Sequence, residues 1–137
     1  MKKNRVIFVC TNNSARSQMA EGILRHFHGD LYEVYSAGTE PTTVNPLAIA
    51  ALKEIGIDIS HHRSKGISEL GGMNFDVAVT VCDRSNNNCP FVPGARISIH
   101  RSFADPDDEA SFKKIRDEIK QWIAETFRDP SALTRRD

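Results

Sequence analysis

The chain has no surplus of charge of either sign: 18 Lys and Arg stand against 18 Asp and Glu. A global basic field of the kind that nucleic acid or an anionic lipid surface requires is therefore excluded, and anion recognition has to be local. Long hydrophobic runs are missing too. Nothing approaches the roughly 18 apolar residues of a membrane span. The opening MKKNRVIFVC carries an apolar stretch too short for a signal-peptide core, with no small-residue cleavage site after it. A cytoplasmic protein is expected, without a membrane or nucleic-acid partner. Cysteine is scarce, and its count of three is odd. In a compartment that keeps thiols reduced, these are not structural staples, so each is either an inert core residue or a chemical one.

What is present reads as a single domain over residues 1–137, with a polar tail from about residue 128. The compact apolar run VIFV at 6–9 suits a strand buried on both faces of a parallel sheet. Met19, Ala20, Ile23, Leu24 and Phe27 recur at helical spacing, which predicts a helix over 16–28, stopped at Gly29-Asp30. YEVYSAG at 32–38 is rich in β-formers and closes on glycine, a second strand. Asn45-Pro46 supplies an N-cap followed by proline at the first helical position. Leu47, Ala48, Ala51, Leu52 and Ile55 form the stripe of that helix, and Gly56 stops it. DVAVTV at 76–81 and ARISIH at 95–100 are the third and fourth strands. A long helix begins near Asp107, carrying three acids in its first turn and burying Phe112, Ile115, Ile119, Trp122 and Ile123. Strands alternating with helices predict an α/β fold, a doubly wound four-stranded parallel sheet flanked by helices.

Ligands of such sheets bind beyond the carboxyl ends of the strands. Cys10 follows the first strand and Cys82 the third, so both fall on that edge. The stretch CTNNSARS at 10–17 places small and polar residues between a strand and a helix N-terminus. Thr11, Asn12, Asn13, Ser14 and Ala15 can wrap their backbone N–H groups around an oxyanion, with the positive helix end behind them. Arg16 adds a planar fork that grips two oxygens of a tetrahedral anion. Such a ring of donors favours the thiolate form of Cys10, a nucleophile facing a bound anion, and the Ser17 hydroxyl is placed to hydrogen-bond the thiolate or the loop. In FADPDD at 103–108, Asp-Pro reads as a turn and cap; the functional alternative is that Asp105 overhangs the loop as general acid.

Cys82 and Cys89 are seven residues apart. That is not the pairwise spacing of a zinc site and no histidine follows at ligand distance, so no metal is expected. On a helix the two would share a face but lie about 10.5 Å apart along the axis, beyond the roughly 7 Å that a disulfide spans between Cα atoms. A bond between them needs an irregular loop or an unwinding, and the intervening DRSNNN is poorly suited to a stable helix. Together the three thiols can perform a two-electron reduction. Cys10 attacks an oxyanion, Cys82 attacks the Cys10 adduct, and Cys89 takes Cys82 to leave a disulfide away from the loop. The five histidines call for no function; His26 and His28 suit a helix C-terminus, and His61-His62 suits solvated or hydrogen-bonded side chains.

CTNNSARSQMAEG, VYSAG, NPLAIAALKEIGIDIS, VTVCDRSNNNCP and ADP together resemble the thioredoxin-coupled arsenate reductases, which share the low-molecular-weight tyrosine phosphatase fold. The resemblance runs from about residue 5 to 122. It implies that Cys10 attacks arsenate while Arg16 and the loop amides hold the oxyanion and Asp105 aids departure of an oxygen. It implies further that Cys82 displaces arsenite, Cys89 resolves the Cys10–Cys82 disulfide, and thioredoxin reduces Cys82–Cys89, with no bound flavin or metal. A monomer is expected.

Three positions depart from the family pattern. Asn12 stands where glycine is usual; asparagine is the next-best residue for positive φ, so the loop should still wrap, at some conformational cost. Ala15 replaces a cysteine that is not one of the redox thiols. Lys65 stands where some relatives use a carboxylate, with Asn13 and Ser36, to hold a potassium ion. A lysine cannot ligate a cation, so its ammonium is expected to take the ion's place against Asn13 or Ser36, unless it is a solvated surface lysine.

The nearest rival reading is a phosphatase, since the same loop with Asp105 can hydrolyse an aryl phosphate. However, DPDDEASF offers acids where tyrosine phosphatases of this fold present aromatic residues, and a phosphatase leaves Cys82 and Cys89 unexplained. A non-catalytic oxyanion or redox sensor is the rival of another class, and turnover separates it from an enzyme.

Overall fold

The computed structural model describes residues 3–81, 92, 94–130 and 133. Cys82 and Cys89 lie outside the described residues, as does most of the expected polar tail. Four strands, β1 (Asn4–Cys10), β2 (Tyr32–Gly38), β3 (Val77–Thr80) and β4 (Ile97–His100), form a parallel sheet in the order β2-β1-β3-β4. Three α-helices alternate with them: α1 (Arg16–His28), α2 (Pro46–Lys53) and α3 (Glu109–Thr126). This is the expected four-stranded parallel α/β fold. A 3-10 turn at Ile67–Leu70 was not anticipated; four residues are too few to show a period.

β1 is central, paired with β2 over its whole length and with β3 over 6–9. Its side chains alternate between two cores. Val6 and Phe8 join Met19, Ile23 and Leu24 of α1, Ala48 and Leu52 of α2, and Phe112, Ile115, Ile119 and Ile123 of α3 in the larger cluster. Ile7 and Val9 point the other way, to Ala37, Phe75, Ala78 and Val92, over which Ile67, Leu70 and Met73 pack. Burial on both faces is what a central parallel strand requires, and it fixes which way Cys10 points at the strand end.

The helix ends follow local chemistry. Asn45 caps α2 by accepting from Leu47 N at 2.8 Å, with Pro46 at the first position. Gly56, at φ +83°, turns the chain away after it. Asp108 caps α3, accepting from Ser111 N at 2.8 Å, while Ser111 Oγ receives the N–H of Asp108. The helix therefore starts two residues later than Asp107, with Glu109 its one first-turn acid. The chain end is less polar in role than its composition implies: Phe127 is fully buried, its carbonyl accepts from Tyr32 Oη at 3.1 Å, and Leu133 packs on the larger core.

Candidate active site

α1 differs from its two companions. Its N-cap is Ala15 and no side chain caps it, whereas Asn45 and Asp108 cap the other two. The first-turn N–H groups of a helix need partners, and the positive end favours an anion. Here that end opens directly onto the loop between β1 and α1.

The loop is held from outside. Thr11 O accepts from Glu40 N at 2.8 Å, Asn12 O from Thr42 N at 3.3 Å and Ser14 O from Asn45 N at 3.0 Å. Ser64 Oγ adds a 2.8 Å bond to Asn12 O, and Gln18 Nε2 donates to Asn13 O at 3.2 Å. A trans peptide points its N–H opposite to its C=O. Carbonyls 11 to 14 turned outward therefore turn the following N–H groups inward, and the Asn13 N–H does point at Cys10 Sγ, at 3.2 Å. The sulfur also lies 2.9 Å from Ser17 Oγ, and Cys10 is only 3% exposed. Thr11 Oγ1 is buried without a hydrogen-bond partner, so one hydroxyl donor of the loop is unspent.

Asn13 rather than Asn12 takes the positive φ, at +49°. The expectation of a conformational cost at Asn12 is corrected accordingly: Asn12 is exposed, and its amide donates to Glu40 O at 3.0 Å. Asn13 uses its whole amide. Nδ2 donates to Ser17 Oγ at 2.9 Å and Ser36 Oγ at 3.0 Å, while Oδ1 accepts from Lys65 N and Gln18 Nε2, both at 2.9 Å. These four bonds hold a residue that prefers other backbone conformations. Gly38 closes the loop from beneath, since a Cβ there would lie 2.5 Å from Thr11 O and 2.9 Å from Asn13 N.

Arg16 is 11% exposed at its side chain, with Nη1 donating to Phe103 O at 2.9 Å and Nε lying 3.8 Å from Asp105 Oδ1. Asp105 itself is 72% exposed. The chain thus brings Cys10, Arg16, Ser17 and Asp105 to one edge of the sheet.

Lys65 departs from its expectation. Its backbone N–H reaches Asn13, but its ammonium pairs with Glu21 Oε1 at 3.7 Å and its side chain is 15% exposed, so its partner is the Glu21 carboxylate and it is not a solvated lysine. Glu21 was missed by the sequence reading and is the centre of this layer. It is buried, accepts from the Ser36 hydroxyl, and meets Arg25 Nη2 at 2.5 Å. Nearby, His62 Nδ1 faces Gln18 Oε1 at 2.9 Å and Nε2 faces Arg25 Nη1 at 3.1 Å. Burial pushes the His62 imidazole down from its ordinary value, against the pull of Glu21. The geometry suits the neutral ring with its proton on Nδ1. Among the described residues no group of three His, Cys, Asp or Glu is placed to hold a metal ion, and no helix is long and apolar enough to cross a membrane.

Residues 5–135 match the family described as low molecular weight phosphotyrosine protein phosphatase. The chain is 48% identical over 129 residues to arsenate reductase 1 of Staphylococcus epidermidis, covering 93% of this chain and 97% of that protein. Among solved structures it is similar to an arsenate reductase in the phosphate binding state, with TM-score 0.81 and 32% identity over 91% of this chain and 97% of that one. It also resembles the thioredoxin-dependent arsenate reductase of Corynebacterium glutamicum, with TM-score 0.73 and 28% identity over 92% of this chain and 61% of the other.

Proposed function

The chain belongs to the low molecular weight phosphotyrosine protein phosphatase family, and from that premise we propose that it is an arsenate reductase that uses its own thiols as reductant. One observation carries the reading: a buried cysteine sulfur, met by the Asn13 N–H, sits at the end of α1 that no side chain caps, beside the paired Arg16 and Asp105. The likeness to proteins named arsenate reductase supports it.

In this reading the loop amides and Arg16 grip the arsenate oxygens, donors fixed in place before the reaction begins. The Cys10 thiolate forms a sulfur–arsenic bond as an arsenic–oxygen bond breaks, and the oxygen leaves as water on a proton from Asp105. Cys82 then attacks Cys10 Sγ. The sulfur–arsenic electron pair stays with arsenic, which departs as arsenite, and the two sulfurs are left as a disulfide. Cys89 next displaces Cys10 from Cys82. A dithiol donor of the thioredoxin type finally reduces Cys82–Cys89, as the name of the Corynebacterium neighbour suggests. No flavin or metal is called for. Lys65 serves in this scheme as the fixed cation that balances Glu21 beneath the loop, so activity does not depend on potassium.

The test is arsenate-dependent NADPH oxidation with thioredoxin and thioredoxin reductase, comparing the unchanged chain with Cys89→Ser. Sustained turnover that collapses to a single event in the variant is expected. Steady hydrolysis of an aryl phosphate with no arsenate turnover would replace this reading by the phosphatase.

A further inference from the structure

Phe103 touches the site only through its backbone, yet it links three of its parts. Its carbonyl accepts from Arg16 Nη1 at 2.9 Å, its N–H reaches Val81 O at 3.4 Å, and the chain runs on two residues to Asp105, which faces Arg16 Nε. A carbonyl can orient a guanidinium only if the peptide carrying it is itself fixed. Loops after a strand usually lack that fixity, but here the Phe103 ring is gripped from two sides. The Arg101 guanidinium carbon stands 4.3 Å from the ring centroid, and Trp122 of α3 meets the ring edge-on at 6.1 Å. Trp122 is in turn set edge-on against the buried Phe127, at 5.7 Å, so the grip is anchored in the larger core. Arg101 is held along its backbone by donating to Thr80 O at 2.9 Å.

We propose that Phe103 is a positioning residue for oxyanion binding, clamped by Arg101 and Trp122 so that its carbonyl aims Arg16 at the anion. The reasoning rests on the reading that the Cys10–Arg16 loop is the oxyanion site. Five N–H donors radiate from a guanidinium in one plane. Once Nη1 is committed to Phe103 O and Nε faces Asp105, the plane of the fork is fixed, and the two N–H groups of Nη2 are directed by geometry. Bidentate recognition of a tetrahedral anion depends on that plane, so a loosened clamp costs affinity for the anion before it costs anything in later thiol exchange. The cationic jaw and the aromatic jaw act through the same ring, and each should matter by about the amount of one exposed cation–π or edge-on pair, a two- to fivefold effect on affinity.

Three variants test this in the full chain: Arg101→Met, Trp122→Leu and Phe103→Leu. The dissociation constant for inorganic phosphate is measured by titration calorimetry, alongside KM and kcat for arsenate and the melting temperature. Arg101→Met and Trp122→Leu are each expected to raise the phosphate dissociation constant and the arsenate KM two- to fivefold, with kcat changed less than twofold; Phe103→Leu should exceed both. Arg101→Lys, which keeps a cation over the ring, should recover most of the loss. Trp122→Leu separates the clamp from simple charge, because it is neutral. If only Arg101→Met shifts phosphate affinity, the effect is the electrostatic field of a nearby arginine and the inference fails. It fails equally if melting temperatures drop while phosphate affinity stays constant, since the cluster is then structural only. Phosphate binding by the unchanged chain without arsenate turnover would instead count against the reductase reading and leave this inference standing. No phosphate binding at all would remove both.

Discussion

Gly38→Ala tests whether the oxyanion loop is seated on the second strand. Gly38 does not have a positive φ, so alanine is compatible with its backbone, and in the unfolded chain the substitution is mildly favourable, by about 0.4–1 kcal/mol. The obstacle is space. A Cβ would stand 2.5 Å from Thr11 O, 2.9 Å from Asn13 N and 3.0 Å from Cys10 O. All three are backbone atoms, which cannot swing aside as a flexible side chain does. Restoring even a tight 3.0 Å contact moves Thr11 O by about 0.5 Å, and that carbonyl is held by Glu40 N. Overpacking of this kind typically costs about 1–3 kcal/mol; set against the unfolded-state gain, a net loss of about 1–2 kcal/mol is expected. The activity should suffer more. A misplacement of 1 Å in a catalytic array can cost about a hundredfold, so half that distance should lower kcat/KM for arsenate by about tenfold. Urea unfolding gives the first quantity and coupled arsenate turnover the second. Unchanged turnover with unchanged stability would show that the loop does not rest on Gly38, and the outward-carbonyl argument would lose its base.

Three further outcomes follow from the buried polar layers. Lys65→Met should cost about 1–2 kcal/mol in urea unfolding, below the usual 3–5 for a broken buried pair because Arg25 still holds Glu21; for the unchanged chain, exchange of sodium for potassium at matched ionic strength should leave the arsenate rate constant, and strong potassium activation would sink the assignment. Burial raises the Tyr32 phenol to about 12 from an ordinary value near 10, so its contribution to stability is complete below pH 10 and is lost as pH rises towards 12; Tyr32→Phe should flatten the unfolding free energy across that window, and an unchanged slope would contradict the assignment.

The strands and the first two helices were legible because their signals are local. The stripe from Met19 to Phe27 and the Asn45-Pro46 cap each state a period or a stop within a few residues, and α1 and β2 begin and end where those signals place them. Cys10 and Arg16 were legible as a pair because the strand before them and the helix after them set their separation. Glu21 was not. It lies on α1 with Gln18 three residues before and Arg25 four after, a polar line at helical spacing beside the apolar stripe. That line reads as a solvated flank until a second strand and Lys65 cover it, and nothing local announces the cover. The same holds for the choice between Asn12 and Asn13: either asparagine tolerates positive φ, and the decision is made by Ser36, Gln18 and Lys65, which converge from three distant segments. Phe103 was passed over because its role lies in a carbonyl, which every residue possesses.

The depth of Cys10 has a consequence for its chemical neighbours in a cell. Cys10 is only 3% exposed, so a bulky thiol or disulfide from solution should reach its sulfur more slowly than a thiol carried on the same chain. Capping by cellular thiols is thereby slowed by shape, independently of how nucleophilic the sulfur is. Access to the sulfur, rather than its intrinsic reactivity, then makes the first selection among reagents.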